Sequence, residues 1–371
     1  RVLAEDQFSS IFVPSANNSA MDGYALRSID VAGNGHHSLP ISQRICAGST
    51  GTALKPGTAA RIFTGALVPE GADTVIMQER CEVHDDHVTV PGPVSIGHNI
   101  REKGEDIADG DLILQQGILL KPQHLGLAAS VGIASLPVYR PLRVALFFTG
   151  DELRQPGETR QPGQIYNANQ YTLHGLLKTI QCEIINLGTV PDTLQATEKA
   201  LQEGAEKADL IMTSGGVSVG EEDHIRQALA NTGKLDLWRV SIKPGKPMVF
   251  GRVAQTPFIG LPGNPVSVFV TFCILARPYI QRTQGILDPQ TATLQMPIRF
   301  HWPKPGHRRE YIRVRIDRDA AGKPTLSMFP NQGSGVLTSA AWADGLAIIP
   351  ENTTLEAGDI VEYLPFSGLL S

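Results

Sequence analysis

The chain has 371 residues, 42% of them hydrophobic and 19% charged, with a formal net charge of −5. That length suits about two to four domains with sizeable cores, and the charge balance gives no bulk basis for a nucleic-acid or membrane-surface partner, so any anion site must be built locally. Cys46, Cys81, Cys182 and Cys273 contain no C-x-x-C pair, no apolar run is long enough to span a bilayer, and no signal peptide is visible, all of which fits a reducing cytoplasm.

In chain order, Arg1-Val2-Leu3-Ala4 reads as the middle of an element, so a segment before it is expected. From about Asn18 to Gly104 the pattern is short β-rich runs punctuated by glycine and proline, among them Ala60 to Phe63, Thr74 to Met77 and Val88 to Val90. The stretch from Asp106 to Arg140, with an apolar helix around Gln123 to Val131, reads as a connector packing with residues 1–14. From Leu142 to Ile280 strands alternate with helices. The strand at Leu142 to Phe148 leads into a helix with Leu173, Leu176, Leu177 and Ile180 on one face; then come a strand (Cys182 to Leu187), a helix (Thr193 to Ala208), a strand (Asp209 to Thr213) and a helix (Asp223 to Ala230). That alternation predicts βαβ units and a mostly parallel sheet. After about Thr291 the texture is β again, at Arg309 to Ile316, Thr325 to Phe329, Leu346 to Pro350 and Asp359 to Leu364, which predicts a small barrel or sandwich.

Five motifs could carry chemistry. Ser214-Gly215-Gly216-Val217-Ser218-Val219-Gly220-Glu221-Glu222-Asp223 joins a buried strand to a helix, where backbone N–H groups and the helix dipole suit an anion; a capped turn is the alternative. Lys243-Pro244-Gly245-Lys246-Pro247 is a stiff cationic loop fit for a small oxyanion, or an exposed turn with solvated lysines. Asn264-Pro265-Val266-Ser267 starts an apolar helix and sets the Ser267 hydroxyl beside free N–H groups. Thr149-Gly150-Asp151-Glu152 offers carboxylates at a strand end, for a divalent metal with a phosphate or for a ring edge; Asn167 and Asn169 follow as caps or ring-binding amides. Asn18 to Ala25 contains Asp22-Gly23, by default a surface hairpin, and Phe63-Thr64-Gly65-Ala66 is equally plain alone. His84-Asp85-Asp86-His87 reads as a hairpin tip rather than a metal site, and His36-His37 as a solvated loop. No H-E-x-x-H or Walker A lysine is present, which removes the common zinc-protease and P-loop readings.

Taken in order, these motifs, with Pro69 to Val75 and Gly104 to Ile107, resemble the molybdopterin molybdenumtransferases of the MoeA and gephyrin E-domain type, from residue 1 to about residue 365. Asn17 stands where that family often has Asp. The resemblance implies a multidomain α/β plus β fold: an elongated connector domain (1–14 and 105–140), an inserted β-rich domain (15–104), a central α/β molybdopterin-binding domain (141–290) and a C-terminal β-barrel (291–371). It implies a homodimer with shared clefts, magnesium as cofactor, adenylylated molybdopterin and molybdate as substrates, and the molybdopterin adenylyltransferase as a partner. By residue, it implies that Glu152, Asp192 and Asp223 bind magnesium and the pyrophosphate side of the substrate, and that Asn167, Asn169, Ser214, Gly215, Gly216, Ser218 and Gly220 line the pterin and phosphate site. Lys243, Lys246, Pro247, Ser267, Arg313 and Ser334 would hold molybdate, and Asp22 and Thr64 would reach in from the other subunit. The expected reaction is transfer of molybdate to the dithiolene with loss of AMP, with no catalytic cysteine. The alternatives are an adenylyltransferase, against which the flanking β domains argue, and a scaffold or receptor-anchoring protein.

Overall fold

The computed structural model describes residues 1–217 and 224–370, and the chain falls into two compact units, residues 3–137 and residues 1–2 with 138–371. The residues 3–137 unit is built on a six-stranded sheet in the order Thr74–Met77, Gly23–Leu26, Ala59–Ile62, Gly35–Ile45, His87–Gly92, Glu82–His84. Alternating side chains give it two apolar faces, one with Tyr24, Leu26, Ala59 and Ile76, the other with Ala25, Ala60, Ile62 and Val75. The Asp85 tip joins two paired strands at φ 51°, a hairpin turn as predicted. His36 and His37, expected in a loop, lie in the strand Gly35–Ile45 and pair with Pro91 and Val90. Asp22-Gly23 is not a hairpin turn either. Gly23 is the first residue of a central strand, and a Cβ there would sit 2.0 Å from the Ile76 carbonyl oxygen, so close strand approach demands glycine. The connector forms a small core of Leu3, Leu114 and Ala128 beneath the helix Pro122–Ser130.

In the second unit a six-stranded mixed sheet runs Glu183–Val190, Arg143–Thr149, Leu210–Ser214, Thr256–Leu261, Pro247–Val253, Gly233–Arg239. The first four strands are parallel, Pro247–Val253 runs antiparallel to them, and Gly233–Arg239 runs antiparallel to Pro247–Val253. The run Val144 to Phe148 is almost wholly buried, because helices cover both faces of the strand it forms. Each such side chain contributes about 1.5–3 kcal/mol of burial. Chain order places Glu183–Val190 on one side of the first strand and Leu210–Ser214 on the other, so a topological switch point lies between the carboxyl ends of Arg143–Thr149 and Leu210–Ser214. Open α/β sheets bind ligands in that crevice. The helix Pro265–Thr271 continues through a π turn, Phe272–Ala276, into Arg277–Thr283. Pro278, which cannot donate to the preceding turn, explains the widened turn before it.

The C-terminal sheet runs Ile242–Lys243, Arg309–Arg318, Gly345–Ile349, Ile360–Pro365, Leu294–Pro297, with Pro324–Met328 on the flank of Arg309–Arg318. A bridge from Ile298 to Leu326 brings the two ends together around Ile312, Val314, Ala347, Val361 and Tyr363, which closes a small barrel. Among the described residues no helix is long and apolar enough to cross a membrane.

Candidate functional site

The crevice at the switch point is a real cavity. It is lined by Thr149, Glu152 and Leu153 from the end of the first strand, Ile165 to Asn169 from the start of the next helix, Ser214 and Gly215, and Gly263 and Pro265. Its volume is about 120 Å³, below the several hundred Å³ usual for a ligand pocket. Gly215 and Gly216 both turn left-handed, at φ 90° and 62°, which swings the chain away from the strand end and opens the crevice. The glycine loop then leaves the described residues, so Ser218, Gly220 and Asp223 lie outside them.

The two asparagines divide their tasks. Asn167 is buried at 2% exposure and caps the helix Ala168–Thr179, accepting from the Gln170 N–H at 3.1 Å. Asn169 instead spans the cavity. Its Nδ2 donates to Ser214 Oγ at 2.9 Å and to the Gly263 carbonyl at 2.7 Å. The carbonyl partner fixes which end of the amide is nitrogen, and both amide hydrogens are then used. Asn169 Oδ1 is left buried without a donor among the described residues, a state that costs about 1–3 kcal/mol until a ligand or water supplies one. Glu152 folds back over Gly150, its Oε2 only 2.6 Å from where a Cβ would stand, so its carboxylate sits at the rim. Asp192 follows the strand Glu183–Val190 and is half-buried just before the Thr193 cap of the next helix.

A second cluster forms where the α/β sheet meets the barrel. The loop from Lys243 to Pro247 leaves the barrel strand Ile242–Lys243 and enters the sheet strand Pro247–Val253. Gly245, at φ 113°, packs against Thr271, whose Cγ2 would lie 2.3 Å from a Cβ at that position. Only glycine lets the cationic loop touch this helix. Thr271 in turn donates to the Ser267 carbonyl at 2.7 Å, so loop and Ser267 share one turn of helix. From the barrel side, the Ser334 carbonyl accepts from the Val266 N–H at 3.0 Å, and Ser334 Oγ accepts from Asn264 at 3.0 Å. Asn264 therefore binds Ser334 rather than capping its own helix by its side chain. Lys246, Pro247, Ser267 and Ser334 thus stand on segments that contact one another.

The two lysines differ. Lys243 pairs with Glu310 at 3.0 Å, and the Glu310 side chain is only 7% exposed. Lys246 is exposed and makes no ion pair among the described residues. Arg313 departs most from expectation. It is 1% exposed; its Nε donates to Ser339, Nη1 to the Tyr311 carbonyl and Nη2 to the Gly333 carbonyl. Its backbone exchanges two bonds with the Gln332 amide, each 2.9 Å. Burial pushes the guanidinium down to about 10, so it remains charged at neutral pH. This geometry makes Arg313 the anchor of the loop that delivers Ser334, not a side chain projecting into a site. Arg308, which no local pattern marks out, donates Nη1 to the Ile242 carbonyl at 2.9 Å at the root of the lysine loop.

Asp22 and Thr64 are also joined. Asp22 Oδ1 accepts from the Thr64 N–H at 2.8 Å and from its hydroxyl at 2.7 Å, and these bonds hold the exposed carboxyl below its usual range. The cysteines are free thiols; burial raises Cys182 and Cys273 to about 12 each and Cys81 to about 11, so these three are poor nucleophiles.

Three family models match consecutive parts of the chain: the MoeA N-terminal region at residues 1–132, a probable molybdopterin binding domain at 145–282, and the MoeA C-terminal region at 295–366. A molybdopterin molybdenumtransferase of Haemophilus influenzae is 38% identical over 387 residues, covering 100% of this chain and 92% of the relative. Molybdopterin molybdenumtransferase 2 of Mycobacterium tuberculosis is 36% identical over 361 residues, covering 95% and 88%. The solved structure of a molybdopterin biosynthesis MoeA protein from Pyrococcus horikoshii superposes with a TM-score of 0.85 at 26% identity, covering 98% of this chain and 91% of that one.

Proposed function

Because the chain belongs to the molybdopterin molybdenumtransferase family of MoeA type, we propose that it transfers molybdate to the dithiolene of adenylylated molybdopterin with release of AMP. The observation that carries this reading is a pair of complementary clusters on one unit, one with a buried acceptor suited to a ring N–H and one suited to an oxyanion. One is a glycine-lined crevice with an unpaired acceptor at Asn169; the other is a cationic loop clamped on the start of a helix. The flanking β-rich parts match the MoeA N- and C-terminal models, which an adenylyltransferase would not need.

The work of the residues is positioning and charge neutralisation. Asn169 and Ser214 orient the pterin end, Asn169 Oδ1 accepting a ring N–H. Lys246 neutralises molybdate while the hydroxyls of Ser267 and Ser334 donate to its oxygens. Lys243 is held in reserve by Glu310 and shares the anion's charge once it binds. Arg313 and Arg308 hold the barrel loop and the lysine loop in register. Holding the oxyanion close to the dithiolene converts an encounter of two anions into a step within one complex.

Among the described residues no three His, Cys, Asp or Glu groups converge on one point. Magnesium commonly takes few protein carboxylates and fills its remaining positions with water and substrate phosphate. Glu152 at the rim, with Asp192 and Asp223, would hold it there. Bound magnesium would neutralise the phosphate charge as AMP leaves. The free thiols fit a cytoplasmic enzyme. We further read the enzyme as a homodimer, with Asp22 and Thr64 of one subunit serving the substrate of the other, and the adenylyltransferase as supplier of that substrate.

The test is a turnover assay with purified enzyme. Adenylylated molybdopterin plus molybdate should yield AMP and molybdenum cofactor, while ATP plus unmodified molybdopterin should yield nothing. The reverse pattern would make the protein an adenylyltransferase.

A further inference from the structure

The unit of residues 3–137 carries a cationic row that the reading above leaves without a task. Tyr24, Arg61 and Arg44 stand opposite one another on three neighbouring strands, Tyr24 across from Arg61 and Arg61 across from Arg44. Phe63 lies two positions beyond Arg61, on the same side of the sheet. Both guanidinium groups approach the Phe63 ring to 4.8 Å, and Arg61 also lies 5.0 Å from the Tyr24 ring. Arg61 is fixed further by donating to the Gly23 carbonyl at 3.1 Å and to Gln78 Oε1. Arg44 is exposed and makes no hydrogen bond or ion pair among the described residues.

Two like charges directly across a ladder repel, and each ring contact returns only about 0.5–1 kcal/mol at an exposed site. The carboxylate that Arg61 feels, Asp22, already accepts two bonds from Thr64. Arg44 therefore has its guanidinium against an aromatic ring and its N–H groups unused among the described residues, across the ladder from a second arginine. That arrangement matches a dianion with several acceptor oxygens, which a planar guanidinium grips in bidentate fashion.

We propose that Arg44 and Arg61, carried on Phe63, form a phosphate site for the nucleotide end of the substrate, the end that departs as AMP. The proposal rests on the function above, which places the adjacent Asp22 and Thr64 at the substrate. It adds a phosphate-gripping role for Arg44 and Arg61, which no motif marked out, and a supporting role for Phe63.

The experiment is calorimetric titration of the full chain with AMP and, separately, with inorganic phosphate, using the wild type, Arg44→Gln and Arg44→Lys. Arg44 is exposed and its one contact, with the Phe63 ring, is worth only about 0.5–1 kcal/mol, so the variants should melt close to the wild type. Arg44→Gln should weaken AMP binding by about tenfold or more, and Arg44→Lys should fall between, keeping charge but losing the fork. A parallel loss for inorganic phosphate would assign the contact to the phosphate itself; a loss confined to AMP would assign it to the nucleotide as a whole, and both support the site. AMP affinity within about twofold of wild type in Arg44→Gln would overturn it, as would a wild type that binds neither probe. Turnover measured alongside separates the two ideas. Unchanged AMP affinity with intact molybdate transfer sinks only the site, whereas Arg44-dependent AMP binding by a protein that transfers no molybdate sinks only the function.

Discussion

Lys246→Ala is the most discriminating substitution at the proposed molybdate cluster. Lys243 and Lys246 sit on the same loop but in different states. Removing Lys243 would strand the Glu310 carboxylate, only 7% exposed, without its cation, so lost stability would be confounded with lost binding. Lys246 is exposed and unpaired among the described residues; its backbone carbonyl, which accepts from Val240 at 3.1 Å, survives the substitution. The loop itself is held by Gly245 on Thr271, so it keeps its shape. What Lys246→Ala removes is one charge-assisted contact to the oxyanion, worth about 1.5–3 kcal/mol. That converts to about a 10- to 100-fold rise in the molybdate concentration giving half-maximal rate. The assay is initial-rate AMP release at saturating adenylylated pterin over a molybdate series, with pterin affinity measured separately. Unchanged molybdate dependence with abolished pterin binding would refute the assignment.

Two further outcomes follow from the same geometry. Asp209 receives Arg140 in a bidentate pair at 2.6 and 2.9 Å, together with Arg143 side-chain and backbone donors, and these bonds hold its carboxyl far below the usual carboxylate range against the opposing effect of burial. A lowered folded value means the contribution is present above the unfolded carboxylate range and disappears as pH falls through the folded one. Asp209→Asn should therefore lose about 1–2 kcal/mol at neutral pH, allowing for the exposed arginines, and converge with wild type in strong acid; equal denaturant midpoints at neutral pH would contradict this. For the proposed homodimer with shared sites, mixing inactive Asp22→Ala and Asp223→Ala chains should restore roughly a quarter of wild-type activity, since about half the dimers would be mixed and each would have one intact site; activity that stays at the parental level despite subunit exchange would place the site within one chain.

The fold was readable because its signals are periodic. Val144 to Phe148 reads as a buried strand from its apolar run, and Leu173, Leu176 and Leu177 mark a helix face that is indeed buried. The alternation of strands and helices over residues 142–230 was enough to foresee the parallel half of the sheet. Past that point the alternation ends, because Gly233–Arg239, Pro247–Val253 and Thr256–Leu261 pair antiparallel with no helix between them, interrupted only by the barrel strand Ile242–Lys243. The lysine loop is the link into that meander. Residues that line the crevice were legible where the signal is local, as with Asn169 at a helix start and the glycine turn after Ser214. Residue roles were not legible where tertiary partners decide. Nothing near Lys243 in sequence announces Glu310, and nothing near Arg313 shows that Gly333, Tyr311 and Ser339 take three of its five N–H donors. Asp22-Gly23 looked like a turn because the backbone of Ile76, which excludes a side chain at Gly23, lies far along the chain.

The account stands most directly on where the oxyanion sits. Crystals soaked in tungstate, a heavier analogue of molybdate with strong anomalous scattering, would locate it without reference to turnover. The anomalous peak should lie against Lys246 and the Ser267 turn, within reach of Ser334, on the face where Gly245 touches Thr271. A single strong peak in the crevice between Asn169 and Glu152 instead, with none at the lysine loop, would contradict the division of the site into a pterin end and a molybdate end.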